Sequence, residues 1–154
     1  MPQNRIHILK SRLDSLYRIA DGIRDEEIKS HFARYLCVLT SGYIEESMKI
    51  LLEEYAHKHA NPKMKSYLIH SMKNVTNLKL SKIEQQLSLF DPKWAHLLIE
   101  NLSDKERDAI NSIVANRNDI AHGRNVTISF VRIKEWYVSV VGIIEKINII
   151  IELY

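Results

Sequence analysis

From Phe130 onward, apolar side chains recur too densely for one face of a helix to hold them. Ile133, Trp136, Tyr137, Val140, Val141, Ile143, Ile144, Ile147, Ile150 and Ile151 follow helical spacing. Together they cover far more girth than the apolar stripe of an ordinary surface helix. The polar strip left over (Arg132, Glu135, Ser139, Glu145, Lys146 and Glu152) is narrow. Such a helix must be covered on most sides, so it is central to a helical bundle or sits in a subunit interface. Its longest uncharged run, Trp136 to Ile144, is far shorter than the roughly 20 residues that a membrane crossing requires. No membrane partner is expected.

The rest of the chain offers this helix helical neighbours. Only 4 glycines and 3 prolines occur in 154 residues, which favours long helices and short connections. A first helix is predicted over residues 4–21. A second and longest one runs over 25–60, beginning at the acidic run Asp25-Glu26-Glu27. Gly42 interrupts its stripe and is expected to mark a bend or a close helix crossing. Asn61-Pro62 and Asp91-Pro92 each pair a cap with a proline at the first helical position. Asn74-Val75-Thr76-Asn77 is poor helix material and reads as a loop. Ser81-x-x-Glu84 and Ser103-x-x-Glu106 both have the form of a capping box. Helices are therefore expected over 81–90, from 92 through Leu98, over 103–122 and from about 129 to the end. No strand alternation, repeat or linker is legible. The expectation is one all-α domain over residues 1–154, an antiparallel C-terminal helix pair with the long second helix packed across it.

Charge and cysteine content narrow the function classes. The net charge of +3 and pI near 8.9 permit a polyanionic partner without demanding one. The single cysteine, Cys37, lies in an apolar run and reads as a small buried hydrophobe. It can form no internal disulfide, and no cysteine or histidine cluster has metal-ligand spacing, so neither metal nor cofactor is expected. The mixed charged N-terminus carries no apolar targeting core, and a cytoplasmic protein is expected.

One polar stretch stands out against this scaffold: Arg117-Asn118-Asp119-Ile120-Ala121-His122-Gly123, at the end of a helix that Gly123 stops. Five residues correspond to about 500° of rotation, so Arg117 and His122 flank a face, whereas Asn118 and His122 share a line. Histidine exchanges a proton near neutral pH, and the carbonyl end of a helix attracts its cationic form. Arginine offers a planar fork matched to phosphate. This set suits cleavage of RNA, whose own 2′-hydroxyl attacks the adjacent phosphate once a base takes its proton and a cation stabilises the phosphorane. One Arg and one His make a sparse site, and a two-fold dimer would supply two of each.

The stretch Arg117-x4-His122 resembles the Arg-x4–6-His signature of HEPN domains. Together with Cys37-Val38-Leu39-Thr40-Ser41-Gly42-Tyr43-Ile44-Glu45-Glu46, Phe90-Asp91-Pro92-Lys93-Trp94 and the run from Asp108 to Gly123, it is similar to the RiboL-PSP-HEPN branch. The resemblance spans roughly residue 30 to the end. It implies an all-α HEPN-like bundle, a homodimer with facing motifs and a metal-independent endoribonuclease of a toxin or antiviral defence system. His122 would then be the general base or acid, and Arg117 would bind phosphate or stabilise the transition state. Asn118 would orient them, with support from Asp119 and from Glu46, or less readily Glu45, on the long helix. Some HEPN toxins carry a tyrosine two residues after the histidine, the target of a partner nucleotidyltransferase. Arg124 stands there in this chain, which argues against such modification and adds to phosphate-binding charge. Lys63, Lys65, Lys73, Lys79 and Lys82 form a further basic stretch, read as a weak RNA track or a solvated face. The partners implied are RNA, a second copy and an antitoxin or regulatory protein. The alternative is a HEPN dimer that binds RNA, nucleotide or a partner protein without cleaving.

Overall fold

Helix boundaries in the computed structural model, which describes residues 2–154, fall largely where the caps lie. The elements are α1 (Pro2–Asp21), α2 (Glu26–His59), α3 (Pro62–Ser71), α4 (Leu80–Phe90), α5 (Pro92–Asn101), α6 (Asp104–Ala121) and α7 (Phe130–Leu153). Asp25, Asn61, Asp91 and Ser129 each accept a backbone N–H of the helix they open. Ser103 and Glu106 complete a reciprocal capping box at the start of α6, with the Ser103 N–H donating to Glu106 Oε2 at 2.8 Å.

Two sequence expectations are corrected. The capping box at Ser81 does not form, because the N-cap is Lys79, two residues earlier, which puts Ser81 inside the first turn of α4. The orphan N–H of Leu80 donates instead to Asn111 Oδ1 of α6 at 2.9 Å, a tertiary partner that no local pattern reveals. Gly42 lies at no close crossing. It is exposed in an unbroken α2, and a Cβ there would meet nothing within 4 Å.

α7 occupies the centre. It packs on α1, α2, α5 and α6, and Ile133, Val140, Ile143 and Ile147 are fully buried. Lys146 near its end reaches Glu106 at the start of α6, while the 122–129 connection joins the opposite ends, so the two helices run antiparallel. Val126 and Ile128 of that connection are buried and pin it to the core. The long α2 crosses the pair, and the buried thiol of Cys37 contacts the Ile113 carbonyl of α6 at 3.5 Å. On the far side, Tyr17 of α1 stacks on Tyr137 of α7 with ring centroids 4.3 Å apart. The Tyr137 hydroxyl donates to Asp14 at 2.6 Å, and Tyr17 shares a 2.8 Å hydrogen bond with Thr40 of α2. Trp94 is buried, whereas Trp136 of the apolar α7 is only half-buried. No helix among the described residues is long and apolar enough to cross a membrane.

Glu106 ties the motif-bearing helix to this core. Lys146 Nζ donates to both of its oxygens, at 2.7 and 2.8 Å, and the carboxylate side chain is only 15% exposed. Burial works to raise its pKa, but the donors from Lys146 and Ser103 outweigh it and hold the carboxyl below its ordinary value. Asp14 is depressed in the same way: burial is outweighed by Lys10 and Tyr137. A depressed carboxylate stabilises the fold above its unfolded pKa, and that stability is lost as pH falls through the folded value. The resistance of the wild type to urea should therefore fall below about pH 4.5. Glu106→Gln should lower stability at neutral pH by about 1–2 kcal/mol and flatten this acid limb.

Candidate functional site

The end of α6 is a complete Schellman stop. Gly123 adopts φ +71°, its N–H donates to the Ile120 carbonyl at 3.1 Å, and the Arg124 N–H donates to the Asp119 carbonyl at 2.9 Å. His122 is the C-cap residue, with its own N–H on the Asn118 carbonyl at 3.0 Å. The stop fixes the backbone at His122 and leaves the residue exposed at the helix end.

Arg117 lies one turn back and is half-buried. Its Nη1 donates to Asn77 Oδ1 at 3.0 Å and to Asn118 Oδ1 at 3.3 Å. Sequence spacing put Asn118 in line with His122, yet its amide oxygen accepts from Arg117. Asn77 belongs to the α3–α4 loop and has φ +55°, the sole non-glycine positive φ among the described residues. Asparagine tolerates that region better than other side chains. The Asn77 N–H donates to Glu45 Oε1 of α2 at 2.9 Å. Asn77 thus links three elements, accepting from Arg117 of α6 and donating to Glu45 of α2 from its place in the 72–79 loop. Met72 and Leu78, both buried, anchor the loop at either end.

The remaining residues singled out from the sequence divide. Asp119 pairs with Arg124 at 2.6 Å in an exposed bridge across the helix stop. Each neutralises the other, so Arg124 is held beside the motif instead of standing as an unpaired cation. Glu46 lines a cavity between α2, the 72–79 loop and α4, and Glu45 is the acid linked to Arg117 through Asn77. The five lysines are spread over α3, the α3–α4 loop and the start of α4. Lys65 and Lys73 line a groove with His70, Lys82 donates to the Thr76 carbonyl at 3.3 Å, and Lys63 and Lys79 are exposed at the starts of α3 and α4. Among the described residues no three His, Cys, Asp or Glu side chains come together as a metal-binding group.

Asn77 is the residue that sequence reasoning missed. It was recognised only as loop, although an asparagine between turn-forming residues is a recognisable candidate for the left-handed region. Its partnership with an arginine 40 positions away had no local mark.

The stop itself can be tested by stability. Gly123→Ala meets no steric obstacle, but it forces a Cβ into φ +71°. It should cost about 1–2 kcal/mol in chemical denaturation.

A family model described as RiboL-PSP-HEPN matches residues 3–153. No curated protein and no solved structure gives a significant match.

Proposed function

We propose, from the premise that this chain belongs to the RiboL-PSP-HEPN family, that it is a metal-independent endoribonuclease of a toxin or antiviral defence system, acting as a homodimer. Family membership points to a nuclease or RNA-related role. The observation that carries the finer reading is the last turn of α6. There a braced, half-buried Arg117 and an exposed His122 share one backbone frame.

In this reading His122 takes the proton from a ribose 2′-hydroxyl, and the freed oxygen attacks the adjacent phosphorus. Arg117 stabilises the extra negative charge of the phosphorane. The 5′-oxygen leaves with a proton from the histidine of the second copy, giving a 2′,3′-cyclic phosphate and a 5′-hydroxyl. Asn77 and Asn118 keep the guanidinium turned toward the reacting phosphate. Ile28, Tyr35, Val38 and Gly42 fall on one exposed face of α2, which leads to Glu45. A second copy packed there would lie beside the Arg117 network, which supports the two-fold site. A cytoplasmic setting and a cognate antitoxin belong to the same proposal.

Cleavage of single-stranded and structured RNA in EDTA tests it. Wild type should yield cyclic-phosphate ends, and His122→Ala and Arg117→Ala should each lower kcat by about 10²- to 10⁴-fold. RNA affinity with no product in any of the three would favour a binding module, and identical behaviour of all three would remove the catalytic roles.

Asn77 separates positioning from folding. Asn77→Gly suits the left-handed backbone and should leave the melting temperature near wild type while lowering kcat. Asn77→Asp keeps an oxygen for Arg117 and should restore most of the rate. Sedimentation at micromolar concentration should show a dimer.

A further inference from the structure

The cleavage chemistry leaves unused a cavity that shares a wall with the Arg117 network. It has a volume of about 130 Å³ and lies between α2, the 72–79 loop and α4. Its floor is apolar: Met48, Leu52, Met72 and Leu78 line it, and all four are buried. Its rim is polar, with Glu45, Glu46, Lys49, Lys73, Thr76 and Gln86.

Size and lining together define a ligand class. An enclosed apolar cavity of about 150 Å³ accepts one benzene ring. This one is slightly smaller but open to solvent at its polar rim, so it seats one face of a single six-membered ring with the ring edge at the rim, and no larger ring system. Methionine floors suit aromatic faces, since their sulfurs pack favourably against rings. Carboxylates on the rim call for N–H donors on the ring edge, and the lysines call for acceptors. Cytosine has both: an exocyclic amine, the group that Glu reads in base recognition, beside a ring nitrogen and a carbonyl oxygen. Uracil presents a carbonyl where cytosine has the amine, so a carboxylate would face an acceptor.

The site is also coupled to the motif. Glu45 Oε1 is held by the Asn77 N–H at 2.9 Å, and Asn77 Oδ1 accepts from Arg117 at 3.0 Å. One residue therefore separates the cavity rim from the phosphate-binding arginine. On its other side Lys73 is shared with the Lys65–His70 groove, whose lining has cationic side chains and no carboxylate, as a neighbouring phosphate requires. We propose that this cavity is a cytosine subsite that discriminates against uracil, with the amine directed at Glu45 and Glu46. The base is presented by RNA, which rests on the ribonuclease reading, or by a free nucleotide, which does not.

Two measurements decide it. Cytidine and uridine 5′-monophosphates are titrated into the isotope-labelled full-length chain and followed by amide chemical shifts. The cytidine nucleotide should perturb residues 45–49 and 72–78 and bind about tenfold more tightly than the uridine one. Glu46→Gln, which donates as well as accepts, should close that gap. Equal or absent responses overturn the subsite, as does selectivity that survives both Glu45→Gln and Glu46→Gln.

In the second measurement, two oligoribonucleotides differing in one C or U are cleaved by wild type and Glu46→Gln. About tenfold higher kcat/KM for the C strand, reduced in the variant, is expected. Cleavage without base preference overturns the RNA subsite and leaves the ribonuclease reading intact. Cytidine selectivity without any cleavage removes the ribonuclease reading and leaves the cytosine subsite standing.

Discussion

Covering α7 is the constraint from which the rest of the bundle follows. A helix with Ile133, Val140, Ile143 and Ile147 fully buried cannot persist in water alone. α6 returns along one side of it, α2 crosses both, and α1 and α5 close the remaining flanks. The end of α6 acquires its place as a by-product. The helix is clamped at its start by the Ser103–Glu106–Lys146 group and at its end by the left-handed Gly123. His122 therefore projects from a fixed point of a rigid scaffold, although it is itself exposed.

The polar residues beside this scaffold act by mutual restraint. Arg117 would sample many rotamers if it were free, because its side chain carries about 2 kcal/mol of rotamer entropy. The amide oxygens of Asn77 and Asn118 restrict it, and Glu45 restricts Asn77 in turn. This chain of hydrogen bonds joins three elements that are distant in sequence. It makes the α3–α4 loop part of the site and not merely a connection. Arg124 and Asp119 satisfy each other in the same manner on the outer side of the helix stop.

Much of the fold was legible from residue patterns because helices announce themselves locally. Asp25, Asn61, Asp91, Ser103 and Ser129 each cap a helix through a hydrogen bond to a residue two or three positions away. Such short-range chemistry is readable in one dimension. Ser81 shows the limit. Its local pattern was as good as that of Ser103, yet Asn111 captured the helix start from another element. Gly42 shows a second limit, since a small residue on a long helix permits a close crossing without causing one.

By itself, the sequence determined that the chain is helical, that its last helix must be covered, and that an Arg-x4-His pair closes a capped helix. These properties depend on spacing and side-chain type, and both are written along the chain. Only the tertiary structure decided that Asn77 and Glu45 brace Arg117, that Arg124 is paired with Asp119, and that a ring-sized cavity adjoins the same network. Those relations join residues from separate elements, and the packing of α2, α6 and the intervening loop sets them, with no local periodicity to betray them.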